Sequence, residues 1–296
     1  MIKNEEMFEG VGGVKLNART WLPDGPARAV MVIVHGFKAH SGLYEWPARK
    51  LASEGIAVYA LDLRGNGKSG GEPFWVENFS DYIGDLDRFF ALVRSRQPGL
   101  PTFLLGHSAG GVISCAYALE NQGSLAGFIC ESFAYEVPVP AFALTLLKGL
   151  SYLAPHLGVL DLKDEGFSRD AAFVERMKAD PLVAHGAGPA HTVAEMARAN
   201  ERLTATFAKM TMPILVMHGT KDTVTVPHGS QMFFDNASSV DKTLKLYEGH
   251  YHDLFNDEGR ELVMADVLDW VNARAVVPTG ISSSASTRSP ADGASV

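Results

Sequence analysis

The sequence predicts an α/β fold with a mostly parallel sheet, and two regular features of the chain support this prediction. Short apolar runs recur along it, at 29–36, 56–63, 102–108, 127–132 and 213–219. Helical patterns fall between and after these runs, near 45–54, 80–97, 109–122, 227–237 and 256–274. Apolar runs without alternation are typical of strands that are covered on both faces. Strands that alternate with helices form parallel sheets through right-handed crossovers.

The edges of the predicted sheet have different patterns. The opening stretch, roughly 6–22, has the pattern of an antiparallel strand pair that turns at Gly12-Gly13. The run TLKLYEG at 243–249 alternates apolar and polar residues. Alternation is typical of a strand with only one covered face. We therefore expect both segments at edges of the sheet.

The alternation of strands and helices is interrupted once, between about 133 and 211. That stretch has no strand run and carries the helical patterns FALTLLKGLSYL, AAFVERMKA and VAEMARANERLTATF. An insertion of this size in one connection of a sheet is usually functional. We predict a core of residues 1–132 and 211–275, with a helical cap or lid, 133–210, inserted after the sixth strand. The small, polar, aperiodic stretch 276–296 predicts a disordered tail.

Composition excludes several classes of function. The chain has 296 residues, a net charge of −8 and no long Lys/Arg cluster, which argues against a nucleic-acid partner. Two cysteines, Cys115 and Cys130, exclude a disulfide scaffold and a four-cysteine metal site. The amino-terminal MIKNEEMFEG has no apolar stretch typical of a signal peptide, so we expect a cytoplasmic location.

Two motifs that suggest a cofactor or a metal are better explained otherwise. Residues 65–70 match G-x-G-x-x-G, but that dinucleotide fingerprint must open a helix, and Gly71-Glu72-Pro73 prevents one. The histidines in YEGHYHD at 247–253 have no matching ligands elsewhere at suitable spacing. We therefore predict neither a cofactor nor a metal.

The strongest chemical motif is Gly106-His107-Ser108-Ala109-Gly110, which matches G-x-S-x-G between the strand TFLL and a helical pattern. A sharp strand-to-helix turn holds a serine in a strained backbone conformation and exposes its Oγ. The flanking glycines remove side chains that would collide there. The motif predicts Ser108 as a nucleophile.

A serine hydroxyl is a weak nucleophile and needs an oriented base, which follows the serine and an acid in chain order in this kind of fold. Asp222 follows the strand PILVM, and His252 follows TLKLY thirty positions later. Each has a rival: His250 lies two residues from His252, and Glu131 ends the strand GFICES. Loop reach favours His252, and placement after its strand favours Asp222. Glu131 is then expected to form a salt bridge or to contact the lid.

The anionic intermediate of acyl transfer needs hydrogen-bond donors. The backbone N–H of Ala109, directly after the nucleophile, is one candidate. The other is the N–H of Phe37, in the loop that follows AVMVIVHG. These two amides are the predicted oxyanion hole.

Five segments together resemble a known family: HGFKAHSGLY, ALDLRGNGKSGG, GHSAGG, HGTKDTV and LYEGHYHDLFND. They are similar to the monoacylglycerol lipase branch of the α/β-hydrolases, which contains serine lipases and lysophospholipases. The resemblance implies Ser108, Asp222 and His252 as a catalytic triad, with Phe37 and Ala109 as oxyanion amides. It covers about 28–132 and 211–272. The stretch 133–210 resembles the family only in length and apolar character.

The sequence departs from the family pattern at two places. Ala109 stands where a larger methionine is common, which widens the site, and Glu131-Ser132 replaces a neutral Ser-Ala-Pro type of turn. We predict that Glu131, Phe142, Leu144 and Leu147 contact substrate.

The predicted helix around 142–153 is apolar on more sides than packing on the core requires. This surplus predicts an acyl tunnel and transient contact with a membrane or micelle.

The expected function is hydrolysis of carboxylic esters through an acyl-serine intermediate, with monoacylglycerols or similar medium-chain lipid esters as substrates. A lysophospholipase, thioesterase or amidase could use the same triad. A slow-turnover ligand-binding sensor with this fold is a further alternative, and no oligomeric state is predicted.

Overall fold

The computed structural model describes residues 1–275, so the predicted tail, 276–296, lies outside the described residues. The strands of this part, numbered in chain order, are β1 (Ile2–Glu9), β2 (Lys15–Leu22), β3 (Ala29–Val34), β4 (Ile56–Leu61), β5 (Thr102–His107), β6 (Gly127–Glu131), β7 (Gly158–Leu160), β8 (Gly188–Pro189), β9 (Ile214–Gly219) and β10 (Lys242–Tyr247). The helices are α1 (Glu45–Ser53), α2 (Phe79–Arg96), α3 (Ala109–Asn121), α4 (Ala141–Leu153), α5 (Ala171–Ala179), α6 (Ala190–Thr204), α7 (Pro227–Asn236) and α8 (Arg260–Asn272).

Eight of these strands form one sheet in the order β1-β2-β4-β3-β5-β6-β9-β10. The pairs β1–β2 and β2–β4 are antiparallel, and all the other pairs are parallel. The predicted mostly parallel sheet is therefore confirmed, with the opening pair at one edge. The alternating strand β10 lies at the other edge, as its pattern predicts.

The sheet has a separate apolar core on each face. Every residue of β3, β4, β5, β6 and β9 is buried, as the unbroken apolar runs predict. Successive side chains of a strand point to opposite faces. Val32 of β3 accordingly packs in the core that α2, α3 and α7 cover. Its neighbour Ile33 packs in the core that α1 and α8 cover.

The stretch between β6 and β9 departs from the sequence expectation in one detail. It contains helices α4, α5 and α6 as predicted. It also contains the short antiparallel pair β7–β8, although no strand was predicted here. These strands are three and two residues long, too short to produce a recognisable pattern. Among the helices of residues 1–275, none is both long enough and apolar enough to cross a bilayer.

Candidate active site

Ser108 lies on the turn between β5 and α3, in a backbone conformation that serine rarely adopts. Its φ is 55° and its ψ is −120°, and it caps the amino end of α3. A Cβ on Gly110 would lie 2.3 Å from the carbonyl oxygen of Val34, and a Cβ on Gly106 would lie 2.6 Å from that of Gly110. Both glycines are therefore required by the close approach of backbone on either side of the serine.

The strained turn presents Ser108 to a large cavity. Ser108 is only 4% exposed, yet it lines a cavity of about 1700 Å³ together with Phe37 and Ala109. The three predicted residues of the nucleophile and the oxyanion hole therefore meet at one wall of this cavity.

The structure places Asp222 and His252 against each other. Oδ2 of Asp222 is 2.7 Å from Nδ1 of His252, and both side chains are fully buried. The two residues follow β9 and β10, which are neighbours in the sheet, so their loops meet at the same end. This geometry fixes Nδ1 as the protonated nitrogen of His252 and directs Nε2 away from the carboxylate.

The alternative base, His250, lies beside a different carboxylate. Nδ1 of His250 is 3.3 Å from the carboxylate of Asp257, and burial lowers the pKa of His250. Nε2 of His252 is buried and has no hydrogen-bond partner among residues 1–275, Ser108 included. In enzymes without substrate, the bond between nucleophile and base is often long. His252 thus keeps a free ring nitrogen that can accept a proton.

Several groups besides His252 bind the carboxylate of Asp222. Its Oδ1 accepts from the N–H groups of Val224 and Thr225, at 2.7 and 3.0 Å. Its Oδ2 lies 2.9 Å from Nε2 of His218 and accepts from the hydroxyl of Thr225 at 2.8 Å. Burial alone would raise the pKa of Asp222, but the charges and hydrogen bonds of His252 and His218 hold it well below its usual range. Asp222 therefore remains ionised and can stabilise an imidazolium.

Sequence reasoning assigned no role at the site to His218, Thr225 or Ser132. Ser132 has a φ of 47°, and its hydroxyl donates to the carbonyl oxygen of His252 at 2.6 Å. Only the turn after Asp222 has a local signal, because aspartate commonly accepts from the N–H two residues on. The contacts of His218 and Ser132 depend on which strands are neighbours in the sheet.

The orientation of the Phe37 amide is set by the residue two positions before it. Nδ1 of His35 is 2.7 Å from the carbonyl oxygen of Gly36, and Nε2 of His35 accepts from the N–H of Leu63 at 2.9 Å. Burial lowers the pKa of His35 to about 4, so the ring is neutral and Nδ1 carries the proton. In a trans peptide the N–H points opposite to the C=O, so this bond fixes the direction of the Phe37 N–H.

Glu131 does not reach the cavity. It is fully buried, and its Oε1 accepts from the N–H of Leu254 at 2.8 Å. Burial and the neighbouring Asp253 raise the pKa of Glu131, and its Oε2 has no partner among residues 1–275. We expected Glu131 to form a salt bridge or to contact the lid or the substrate. Its buried position beside Leu254 shows that these expectations were wrong. Through this hydrogen bond, the Glu131 carboxyl supports the backbone that follows His252.

The other three residues predicted to contact substrate all lie on helix α4, but they do not share the same surroundings. Leu144 and Leu147 line the cavity, and so do most of the residues around them on this helix. Phe142 is not part of the cavity wall and is 69% exposed, so its predicted contact inside a tunnel is corrected. Helix α4 therefore has two apolar sides, one of which faces the cavity and the other solvent.

The serine turn above a mostly parallel sheet, with an acid and a histidine following in that chain order, defines a serine hydrolase of the α/β-hydrolase fold. A profile of the family described as "Serine aminopeptidase, S33" matches residues 25–259. The monoacylglycerol lipase of Mycolicibacterium smegmatis is 35% identical over 271 residues, which cover 91% of this chain and 97% of that protein. Human monoglyceride lipase is 32% identical over 267 residues, 88% of each chain.

A solved structure gives the same assignment. The crystal structure of Paleococcus ferrophilus monoacylglycerol lipase matches with a TM-score of 0.77 at 28% identity, over 93% of this chain and 100% of that one. The chain therefore belongs to the S33 family of serine hydrolases. The resemblance seen in the sequence motifs is confirmed.

Proposed function

We propose that this chain hydrolyses monoacylglycerols and similar medium-chain lipid esters, with Ser108 as nucleophile, His252 as general base and Asp222 as the acid of the triad. Oγ of Ser108 attacks the ester carbonyl carbon as Nε2 of His252 takes its proton. The oxyanion accepts hydrogen bonds from the N–H groups of Phe37 and Ala109. The C–O bond to glycerol then breaks, and glycerol leaves with the proton from His252.

The second half of the reaction restores the enzyme. His252 takes a proton from water as the water oxygen attacks the acyl carbon on Ser108. The bond between the acyl group and Oγ breaks, the fatty acid leaves, and Ser108 regains its proton from His252. Asp222 stabilises the imidazolium in both halves, since it is ionised and bonded to Nδ1.

The cavity is the observation that supports a lipid ester. It connects Ser108 with Leu144, Leu147 and Leu150 of α4, and most of its wall is apolar. Each methylene that enters such a cavity contributes about 0.8 kcal/mol of transfer free energy. The relatives at 35% and 32% identity, which are named monoacylglycerol and monoglyceride lipases, support the glyceryl head group.

The outer face of α4 supports contact with a lipid surface. Five large apolar side chains are exposed on this helix and just after it: Phe142, Leu146, Tyr152, Leu153 and Leu157. Contiguous exposed apolar surface of this kind marks interaction sites. Leu146 and Leu153 also line the cavity, so the same residues that face solvent form its rim. We propose that 133–210 is a helical cap on the core 1–132 and 211–275, and that substrate enters from a membrane or micelle through this rim.

A panel of substrates tests the proposed function. Monoacylglycerols of two to eighteen carbons, nitrophenyl esters, lysophospholipids, acyl thioesters and aminoacyl nitroanilides would be compared by kcat/KM. We expect monoacylglycerols to be the best substrates, with kcat/KM rising with acyl length until the cavity is full. Faster cleavage of the thioester, the lysophospholipid or the amide would replace the proposal by the corresponding alternative. An initial burst without further turnover would indicate the slow ligand-binding sensor.

The cytoplasmic location stays a prediction.

A further inference from the structure

The inserted segment touches both of the loops that supply catalytic groups. One is the oxyanion loop, residues 35–41, which contains the Phe37 amide. The other is the histidine loop, residues 249–257, which contains His252. Residues 162–169 of the insert lie between these two loops, and we refer to them as the brace. The contacts of the brace on its two sides differ in chemistry.

On the side of the oxyanion loop, the brace is held by Lys38, the residue directly after Phe37. Nζ of Lys38 donates to Oδ1 of Asp164 at 2.6 Å and to the carbonyl oxygen of Leu162 at 3.1 Å. The Lys38 side chain is 6% exposed and that of Asp164 is 15% exposed. The same ammonium lies 5.9 Å from the centre of the Phe167 ring. Lys38 is therefore a buried cation whose partners within residues 1–275 all belong to the brace.

The main chain of the oxyanion loop is also tied to the insert. The carbonyl oxygen of Lys38 accepts from the N–H of Ala184 at 2.9 Å. Nε2 of His40 is 3.0 Å from Oδ2 of Asp180. On the core side, Asn66 donates to the carbonyl oxygen of Phe37 at 2.8 Å. The short stretch around the Phe37 amide is thus fastened from the core and from the insert at once.

On the side of the histidine loop, the brace holds the residues next to His252. The carbonyl oxygen of Phe167 accepts from the N–H of Asp253 at 2.8 Å. The Phe167 ring meets the His252 ring edge-on, with 5.1 Å between centroids. Nε of Arg169 donates to Oδ2 of Asp257 at 2.9 Å, and this carboxylate also accepts from the N–H of Tyr251. The brace therefore fixes the histidine loop on both sides of His252.

We propose that the brace aligns the Phe37 amide with the base His252, and that Lys38 is the positioning residue through which the insert acts on the oxyanion hole. This inference rests on the function proposed above. A misplacement of about 1 Å in a catalytic group can lower the rate about 100-fold. A buried ion pair is by itself weak evidence for stability. Its position, one residue from the oxyanion amide, gives the pair a positioning role instead.

The charge-free variant Lys38→Met and the isosteric variant Asp164→Asn test this role. We expect kcat for a soluble nitrophenyl ester to fall about 10- to 100-fold in Lys38→Met, and less in Asp164→Asn, which keeps an acceptor. A trifluoromethyl ketone inhibitor, which forms a tetrahedral oxyanion on Ser108, should bind more weakly by a similar factor. An uncleavable glyceryl ether of the same chain length should bind unchanged, since it has no carbonyl group.

Matched controls separate positioning from folding. Lys50→Met removes an exposed lysine from α1 and should leave all three measurements unchanged. The double variant Lys38→Met/Asp164→Asn removes both buried charges, so it should melt near the wild-type temperature and still show the low kcat. Recovery of wild-type kcat in the double variant would overturn the proposal, as would a loss of melting temperature with unchanged kcat and inhibitor binding. The proposed function is tested separately, because it depends only on the wild-type enzyme and on Ser108→Ala.

Discussion

The core and the inserted segment use apolar residues in opposite ways. The central strands of the core bury every residue, and their apolar runs stabilise the sheet from both faces. Helix α4 of the insert is equally apolar in sequence, but Leu144 and Leu147 line a cavity and Phe142 is exposed to solvent. In the proposed function, the core holds the reacting groups in place and the insert presents apolar surface to a ligand. Variants in each region should change different measurements.

The largest effect is expected in the core, at the nucleophile. Ser108→Ala should lower kcat by about 10⁶-fold, as loss of a serine nucleophile does in other serine hydrolases. It should also abolish labelling by a fluorophosphonate. Folding should be preserved, since the N–H of residue 108 still donates to the carbonyl oxygen of Glu131. Turnover within a few-fold of wild type would remove Ser108 from the mechanism.

The second effect compares two buried carboxyl groups of the core. Asp222→Asn should lower kcat by about 10⁴-fold, because His252 loses the acceptor that fixes its tautomer. Glu131→Gln should leave kcat within about threefold and the free energy of unfolding within about 1 kcal/mol, since glutamine resembles the neutral carboxyl that burial favours. Steady-state kinetics and urea unfolding measure both variants. A larger loss of kcat in Glu131→Gln would assign the acid to β6.

The third effect compares the two faces of α4. Leu147→Asp places a charge in the cavity wall, so kcat/KM for long-chain esters should fall at least about 10-fold while acetate and butyrate esters are spared. Phe142→Asp changes only the exposed face, so it should weaken binding to phospholipid vesicles and leave soluble esters unaffected. Cosedimentation with vesicles and a chain-length series measure the two outcomes. Equal losses on short and long esters in Leu147→Asp would show that α4 has only a structural role.

The smallest effect is a pH dependence of stability that arises in the core. The folded pKa of His35, about 4, lies below its unfolded value of about 6.5. The unfolded state therefore binds more protons, and the stability from neutral His35 is complete above pH 6.5 and is lost as the pH falls toward 4. The loss amounts to about 3 kcal/mol at most.

Urea unfolding at pH 7, 6 and 5 measures this dependence. The decline should be shallower in His35→Gln than in wild type. His185→Gln, which changes an exposed histidine of the insert, should show the wild-type slope. An unchanged slope in His35→Gln would assign the pH dependence to other groups.

The sequence by itself predicted the sheet, its edges and the pairing of Asp222 with His252. Apolar runs identify strands because a strand that is covered on both faces buries all of its side chains. Ser108 could be predicted because the turn, its glycines and its helix are all local in sequence. Asp222 and His252 could be predicted because the end of a parallel strand determines which side of the sheet a loop occupies.

The tertiary structure decided what depends on contacts between distant segments. His218 and Ser132 reach the triad because β6, β9 and β10 are neighbours in the sheet, which no local pattern specifies. Glu131 also ends a strand of the sheet, but the chain that follows His252 covers it, and this burial raises the pKa of its carboxyl.

The insert shows the same limit most clearly. Its apolar helix could be predicted, but periodicity cannot distinguish a face that lines a cavity from one that meets solvent. Lys38 lies in the segment HGFKAHSGLY, but nothing in that segment indicates its partner Asp164, which is 126 residues away. Local sequence determines conformation through backbone sterics and the spacing of apolar residues, whereas packing determines which charges become partners and which apolar faces remain free.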